Sequence, residues 1–409
     1  MIQLRTGIKQ KLKARLETAW LFCGWIAGSA RQALSSNPRG EKKILFVLDD
    51  DRLYRDGDGS GRYVYLILNL FREAGYAVYL HKKIGFGDYR RLGKYGREIY
   101  GIPNLKLVDK VPGLPETFVF AFDDERDRRG LLALKWKKIV YVNVLKSPEC
   151  RVGKVVWIPY FMHMRLYANG KPQRLSPLRK NLKKIRIFFG GNTTPVYYKN
   201  PDLHRYGHTN RFETVEFLAQ SRIPWIRITD DPQQFKRGTF EKPYTHQCQI
   251  VKTDHTFPIP PPKWIDLVSE ANFFLCLSGT DLPMCHHTIE ALAVGTVPVI
   301  AYPDWFSPPL EHNKNALIYS GHDDLLKVLT RAMEMPEAEI DRMRGEAARY
   351  YDEHLTPSAF ERSLGSSGDV CTIMLHPRFR PTERETEEGA GSLSELRHRL
   401  NGSLKETVS

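Results

Sequence analysis

The order of elements in residues 272–302, NFFLCLSGTDLPMCHHTIEALAVGTVPVIAY, leaves few folds open to this chain. Residues 273–278 are a short apolar run rich in aromatics, Gly279 and Pro283 interrupt it, and 286–294 carry helical spacing with Ala291, Leu292 and Ala293 on the apolar side. Gly295 stops that helix, and 297–301 is a second compact apolar run. Strand, loop, helix, strand is the crossover of a parallel α/β sheet. Strands buried on both faces read as continuous apolar runs, and a parallel return needs a helix-length connection. Ligands of such sheets sit beyond the carboxyl ends of the strands, here at the loop of Ser278, Gly279 and Thr280. Unpaired N–H groups and the dipole at the start of the next helix favour an anion there. Glu290 shares a face of that helix with His286 and His287, at spacings of four and three.

The run Glu290-Ala291-Leu292-Ala293-Val294-Gly295-Thr296-Val297-Pro298-Val299-Ile300 resembles the donor-sugar segment of GT-B glycosyltransferases, Glu-Ala-Leu/Met-Ala-x-Gly-x-Pro-Val-Ile, with one extra residue before the proline. A looser likeness runs from Ile185 to Leu329 and includes Asn315-Ala316-Leu317-Ile318-Tyr319 followed by Asp323-Asp324-Leu325. The resemblance implies two Rossmann-like α/β domains facing across a cleft, with a nucleotide-sugar donor in the second and an acceptor in the first. It also implies that Glu290 accepts hydrogen bonds from the donor's ribose hydroxyls. Retaining family-four enzymes carry a second glutamate eight residues upstream, where this chain has Leu282. The pattern here is closer to exostosin-like enzymes, with His287 where that group tends to place arginine, and leaves retention or inversion open.

Two domains with proper cores fit within 409 residues, and a hydrophobic fraction of 42% is ordinary for a water-exposed fold. The net charge of +14 is unevenly placed. Residues 1–40 hold seven Lys or Arg (Arg5, Lys9, Lys11, Lys13, Arg15, Arg31, Arg39) against one acid, Glu17. A basic surplus at one end points to an anionic surface more than to a nucleic-acid groove. The apolar segment 19–30, AWLFCGWIAGSA, is too short to cross a bilayer, which takes roughly 20 residues. It is read as a membrane-surface helix, with a signal peptide or a helix packed on the protein body as the alternatives. The six cysteines form no C-x-x-C pair, which suits reduced thiols in the cytoplasm.

The expected organisation is a basic membrane-surface segment over 1–40, an acceptor-side Rossmann-like domain over 41–167, a linker over 168–184, a nucleotide-sugar domain over 185–360 and a disordered tail over 377–409. In the first domain, strands are predicted at 43–48, 77–80, 117–122, 138–144 and 155–159, with a helix over 63–74 that Gly75 ends. In the second, strands are predicted at 185–189 and 225–228, helices at 211–220 and 264–270, and a proline-dense loop at 256–263.

Asp49-Asp50-Asp51 follows a strand, as a metal-holding Asp-x-Asp motif would, but it comes after the first strand rather than after a nucleotide-binding unit. Asp56–Gly61 opens like an EF-hand loop, and the position that needs a bidentate glutamate is Ile67. Cys285, His286 and His287 suggest zinc, against which stands the divergence of adjacent side chains on a helix. No metal and no cofactor are expected. Gly59, Ser60 and Gly61 are the acceptor-side loop, or an ordinary flexible turn. Asp58, Asp123 and Asp124 are candidate bases for an acceptor hydroxyl, each with a solvated or capping role as the alternative. Gly190, Gly191 and Asn192 place backbone amides at the end of the second domain's first strand, and Arg211 offers charge to a leaving diphosphate.

Taken together, these residues point to a metal-independent glycosyltransferase acting on a glycan or lipid-linked glycan in bacterial surface polysaccharide synthesis, peripheral on the cytoplasmic leaflet, with no nucleic-acid partner. A basic nucleic-acid-binding protein and an inactive GT-B scaffold are the rival readings.

Overall fold

The computed structural model describes residues 2–34, 41–48, 60–82, 85–123, 129–144, 151–168, 175–231, 244–253, 259, 261–280 and 282–375. The chain divides into two compact units. Unit 1 comprises Met1–Val156 and Phe360–Leu375, and unit 2 comprises Trp157–Ala359.

Unit 1 is built on a seven-stranded sheet of β1 (Lys42–Val47), β2 (Tyr76–His81), β3 (Leu105–Val108), β4 (Phe118–Phe122), β5 (Lys138–Asn143), β6 (Lys154–Trp157, whose last residue belongs to unit 2) and β13 (Val370–Met374). Their order is β3-β2-β1-β4-β5-β13-β6, and the pairs from β3 through to β13 are parallel. Strands are added from β1 through β2 to β3 on one side and then from β4 to β5 on the other, which is the Rossmann arrangement and opens a crevice between β1 and β4. All five residues of β4 are buried, as its uninterrupted apolar run predicts. The helix Ser60–Glu73 ends at Gly75, whose φ of +87° suits a residue without Cβ.

The sequence analysis closes the second domain at residue 360, and the structure sends the next segment back to unit 1. β13 lies beside β5 in register, Val370 opposite Ile139 and Met374 opposite Asn143. Phe360 meets the edge of Phe71 at 5.1 Å, and Lys138 Nζ donates to Leu364 O at 2.5 Å. Thr372 Oγ1 bonds both backbone groups of Val152 at 2.7 Å. A short run, VCTIM, far from its partners in sequence carries no local sign of where it pairs.

Unit 2 has a six-stranded parallel sheet of β7 (Ile185–Asn192), β8 (Ile226–Thr229), β9 (Tyr244–Thr253), β10 (Ala271–Cys276), β11 (Val297–Ile300) and β12 (Leu317–Ile318), in the order β12-β11-β10-β7-β9-β8. The chain leaves β7 towards β9 and β8 and leaves β10 towards β11, so the switch point lies between β7 and β10. Ile187, Phe189, Phe273, Leu275, Val297 and Val299 pack under Leu325, Leu329, Ile340 and Met343. Both units are thus Rossmann-like, as expected.

Of the expected 168–184 linker, residues 175–184 are tied into unit 2. Arg179 donates to Ala293 O at 2.9 Å, the carboxyl end of the His286–Ala293 helix, and grips Asp352 with two bonds of 2.7 Å. Asn181 bonds Ser269 at 2.8 Å. The basic composition that suggested a linker instead serves helix ends and a carboxylate. The helix predicted at 264–270 begins earlier, at Pro261–Ser269, because proline is tolerated in a first helical turn. The tail 377–409, the Asp49–Asp51 and Asp56–Asp58 loops, Gly59 and Asp124 lie outside the described residues.

The described part of the amino-terminal segment is one helix, Ile2–Leu34, and among the described residues no helix is long and apolar enough to cross a membrane. Ile373 is fully buried in β13. Ile373→Ala is therefore expected to destabilise the protein by about 2–5 kcal/mol, read from the urea midpoint. A shift below about 1 kcal/mol would mean that β13 is not part of the unit 1 core.

Candidate functional site

The carboxyl ends of β7 and β10 and the amino end of the His286–Ala293 helix meet at Arg211. This residue opens the Arg211–Gln220 helix, and its N-cap, Asn210, accepts from Glu213 N at 2.9 Å. Arg211 is 2% exposed. Its Nε donates to Ser278 O at 3.1 Å, one Nη to Asn192 O at 3.1 Å and the other to the Cys285 sulfur at 3.3 Å. The guanidinium also lies 4.2 Å from the Tyr198 ring centre. Among the described residues no carboxylate pairs with it, so a buried cation rests on two carbonyls, an aromatic face and a thiol.

The thiol responds to that charge. Burial alone pushes Cys285 up, but the His286 imidazole and the Arg211 guanidinium, with hydrogen bonds from His286 and the His287 backbone, outweigh it and bring Cys285 down to about 6. Burial pushes Cys248 and Cys276 up, with nothing comparable to oppose it. The divergence expected of Cys285, His286 and His287 does not hold. Cys285 is the N-cap, with extended backbone at φ −132° and ψ 145°, and the donor atoms of the three residues lie within 4.8 Å of one another. Sequence adjacency implies divergence only where all three residues are helical.

Glu290, which the resemblance assigns to the donor's ribose, holds two protein donors in this structure. It is fully buried. One carboxylate oxygen accepts from the His163 backbone N–H at 2.8 Å and the other from the Trp264 indole N–H at 2.6 Å. Through these two bonds Glu290 fastens the loop at His163 and the Pro261–Ser269 helix to the site, and each oxygen keeps a further acceptor position. Gly190 and Gly191, expected to present amides to a diphosphate, make room for side chains. A Cβ on Gly190 would lie 2.7 Å from the Trp264 ring, and one on Gly191 would lie 3.3 Å from His287 and 3.4 Å from Arg211. Trp264 is in turn packed against Phe188, Phe274 and His287.

Asn192 makes a local turn, its side chain accepting from Thr194 N at 2.8 Å. Ser278 donates to Thr209 O at 3.1 Å. Gly279 is required by its turn, since a Cβ there would lie 2.6 Å from Leu282 O and 2.7 Å from Met284 O. Asn192, Thr280 and His286 are half-buried, and among the donor-side candidates these are the side chains still open to solvent. The helix behind them ends in a Schellman motif, Thr296 N to Ala291 O at 2.9 Å and Gly295 N to Leu292 O at 3.1 Å, with Gly295 at φ +67°.

Unit 1's candidates fall elsewhere. Asp123 is buried directly after β4, at the β1/β4 crevice, while Ser60 and Gly61 are the first residues of a helix rather than a loop. The sequence reading did not include Trp264, His163, Asn210 or Tyr198 in the site. Trp264 alone carried a signal, because a tryptophan entering a core needs a partner for its N–H.

No protein family matches the sequence, and no curated protein matches it. Among solved structures, the chain is similar to Anabaena HepE in complex with UDP and glucose, at 14% identity over 79% of this chain and 98% of that one, with a TM-score of 0.39. It is similar to a glycosyltransferase from Rickettsia africae at 8% identity, over 80% and 97%, with a TM-score of 0.44. It is also similar to E. coli trehalose-6-phosphate synthase bound with UDP-2-fluoro glucose at 10% identity, over 80% and 98%, with a TM-score of 0.41. Likeness at this level leaves the function to be read from the residues.

Two outcomes test the site. Glu290→Gln places an amide N–H against one of two existing donors and is expected to lose about 1–3 kcal/mol of stability, with nucleoside diphosphate affinity nearly unchanged in calorimetric titration. A tenfold affinity loss, about 1.4 kcal/mol, at unchanged stability would return Glu290 to the ribose. For Cys285 the folded value lies below the unfolded one, so its contribution to stability is complete above the unfolded pKa and is lost as pH falls through about 6. The ultraviolet thiolate absorbance of wild type minus Cys285→Ser should titrate near that pH. No difference at neutral pH would show that the thiol is protonated.

Proposed function

We propose that this chain is a glycosyltransferase that moves a sugar from a nucleotide-sugar donor to a hydroxyl of a glycan acceptor. The observation that carries the reading is Arg211, a buried cation without a carboxylate partner among the described residues, held at the β7/β10 switch point beside the start of the His286–Ala293 helix. Guanidinium charge and helix dipole both favour an anion at one spot, which suits a diphosphate. Three of the guanidinium's nitrogens are bound to the protein, so it acts mainly as a fixed field. His286 and Thr280 are placed to touch the ligand.

In such a site, charge that builds on the leaving diphosphate meets a positive potential already in place, which lowers the barrier without reorganisation. A metal is not required for that step, and metal independence is part of the proposal. The acceptor hydroxyl needs a base, for which Asp123, Asp124 and Asp58 are the candidates. The sequence likeness to donor-sugar segments supports the donor class. A lipid-linked acceptor, surface polysaccharide synthesis and a cytoplasmic location on the inner face of the plasma membrane complete the reading, supported by the basic amino-terminal segment.

Thermal melts against a panel of nucleoside diphosphates test it. A ligand at a hundred times its Kd should add about 2.7 kcal/mol, equally with and without excess chelator, and His286→Ala should weaken binding several-fold. No stabilisation by any nucleoside diphosphate would overturn the donor assignment. Salt-sensitive binding to polynucleotide in its place would favour the nucleic-acid reading, and loss of transfer on chelation, restored by manganese or magnesium, would overturn metal independence.

A further inference from the structure

The helix Ile2–Leu34 has two apolar faces, and unit 1 uses one of them. On the inner face, Gly24 and Gly28 are notches for Tyr89 and Tyr100: a Cβ there would lie 2.9 Å from the Tyr89 hydroxyl and 2.5 Å from the Tyr100 ring. Phe22 and Trp25 pack on Phe86 at 5.1 and 5.8 Å. The Gln32 amide bonds the open edge of β3 twice, donating to Leu105 O at 3.3 Å and accepting from Leu107 N at 3.0 Å. That pairing covers part of a sheet edge and fixes the helix in both position and rotation.

On the opposite face Leu16, Trp20, Cys23 and Ala27 recur at spacings of four, three and four, with Ile26 beside them. Leu16 is 63% exposed, Trp20 71% and Ile26 47%. Lys13 and Arg15 are exposed next to this stripe, within a segment that has seven basic residues and one acid. Residues Leu21 and Trp25, natural choices for a membrane contact from sequence, belong largely to the inner face. The carboxyl end of the helix walls a cavity of about 450 Å³ whose other side carries Lys82, Lys106 and Lys110 around the single acid Asp109.

We infer that the outer stripe of this helix seats unit 1 on an anionic phospholipid bilayer, with Leu16, Trp20 and Ile26 at the level of the headgroups and the flanking lysines and arginines on lipid phosphates. Charge selects this occupant. A second copy would bring two strongly basic segments together, and a protein interface draws its core from surfaces depleted in charge. A tryptophan among cations on a helix lying flat is suited to the boundary between headgroups and acyl chains. Such docking deepens the glycosyltransferase reading, on which its purpose rests, by placing unit 1 on a surface that can present a lipid-linked acceptor.

Flotation of the full-length protein with phosphatidylcholine vesicles, with and without phosphatidylglycerol, tests this. Binding should require phosphatidylglycerol, fall steeply with salt, drop about tenfold or more in the double variant Leu16→Glu, Trp20→Glu, and drop several-fold in Lys13→Glu, Arg15→Glu. The first pair is exposed, so its thermal melt should match wild type. Equal binding to pure phosphatidylcholine, undiminished binding by the double variant, or a wild-type dimer that the double variant dissociates would each overturn the docking. Nucleoside diphosphate melts on the same samples separate the two readings. Vesicle binding without nucleotide stabilisation removes the transferase and leaves the docking, and nucleotide stabilisation without vesicle binding does the reverse.

Discussion

The bonds of one guanidinium hold the candidate site together. Arg211 joins the end of β7 through Asn192, the end of β10 through Ser278 and the start of the His286–Ala293 helix through Cys285. Each of these segments is the end of a different element. Desolvating an arginine is costly unless its N–H groups are satisfied and its charge is answered. The site meets the first demand with carbonyls and the second with the depressed thiol of Cys285.

A second buried charge supports the first from behind. Glu290 is surrounded by neutral donors, the His163 amide and the Trp264 indole, and Trp264 can approach only because Gly190 lacks a side chain. Residues that look like ligand contacts in the sequence are thus the packing that fixes the crevice wall. The two roles use the same residue types, because small residues and hydrogen-bonding carboxylates serve close approach whether the approaching group is a ligand or an indole. Solvent exposure separates them, and it leaves Asn192, Thr280 and His286 as the half-buried side chains among the donor-side candidates.

In unit 1 the sheet is completed by residues far apart in the chain. β13 arrives after unit 2 has been traversed, and the amino-terminal helix covers β3 through the Gln32 amide. Both additions deal with strand edges, which otherwise offer unpaired backbone groups to any extended chain. The helix does so while leaving a face of leucine, tryptophan and isoleucine turned outward.

The sequence by itself determined the elements of the central motif, since each has a local cause: continuous apolar runs for β10 and β11, 3.6-residue spacing for the helix between them and a glycine in positive φ to end it. The Arg211–Gln220 helix was legible to the residue, helped by its asparagine cap. β3 and β9 were not legible, being an edge strand with polar positions and a strand with alternating polar residues, QCQIVKT among them. Only the tertiary structure decided that β13 returns to unit 1, that residues 175–184 are anchored rather than linking, that Glu290 faces Trp264 and His163, and which side of the first helix remains exposed. Those outcomes depend on contacts between residues from 26 to more than 200 positions apart, or on which of two similar apolar stripes finds complementary notches. Neither periodicity nor local propensity carries that information, because both describe a segment's own conformation and not the surface it meets.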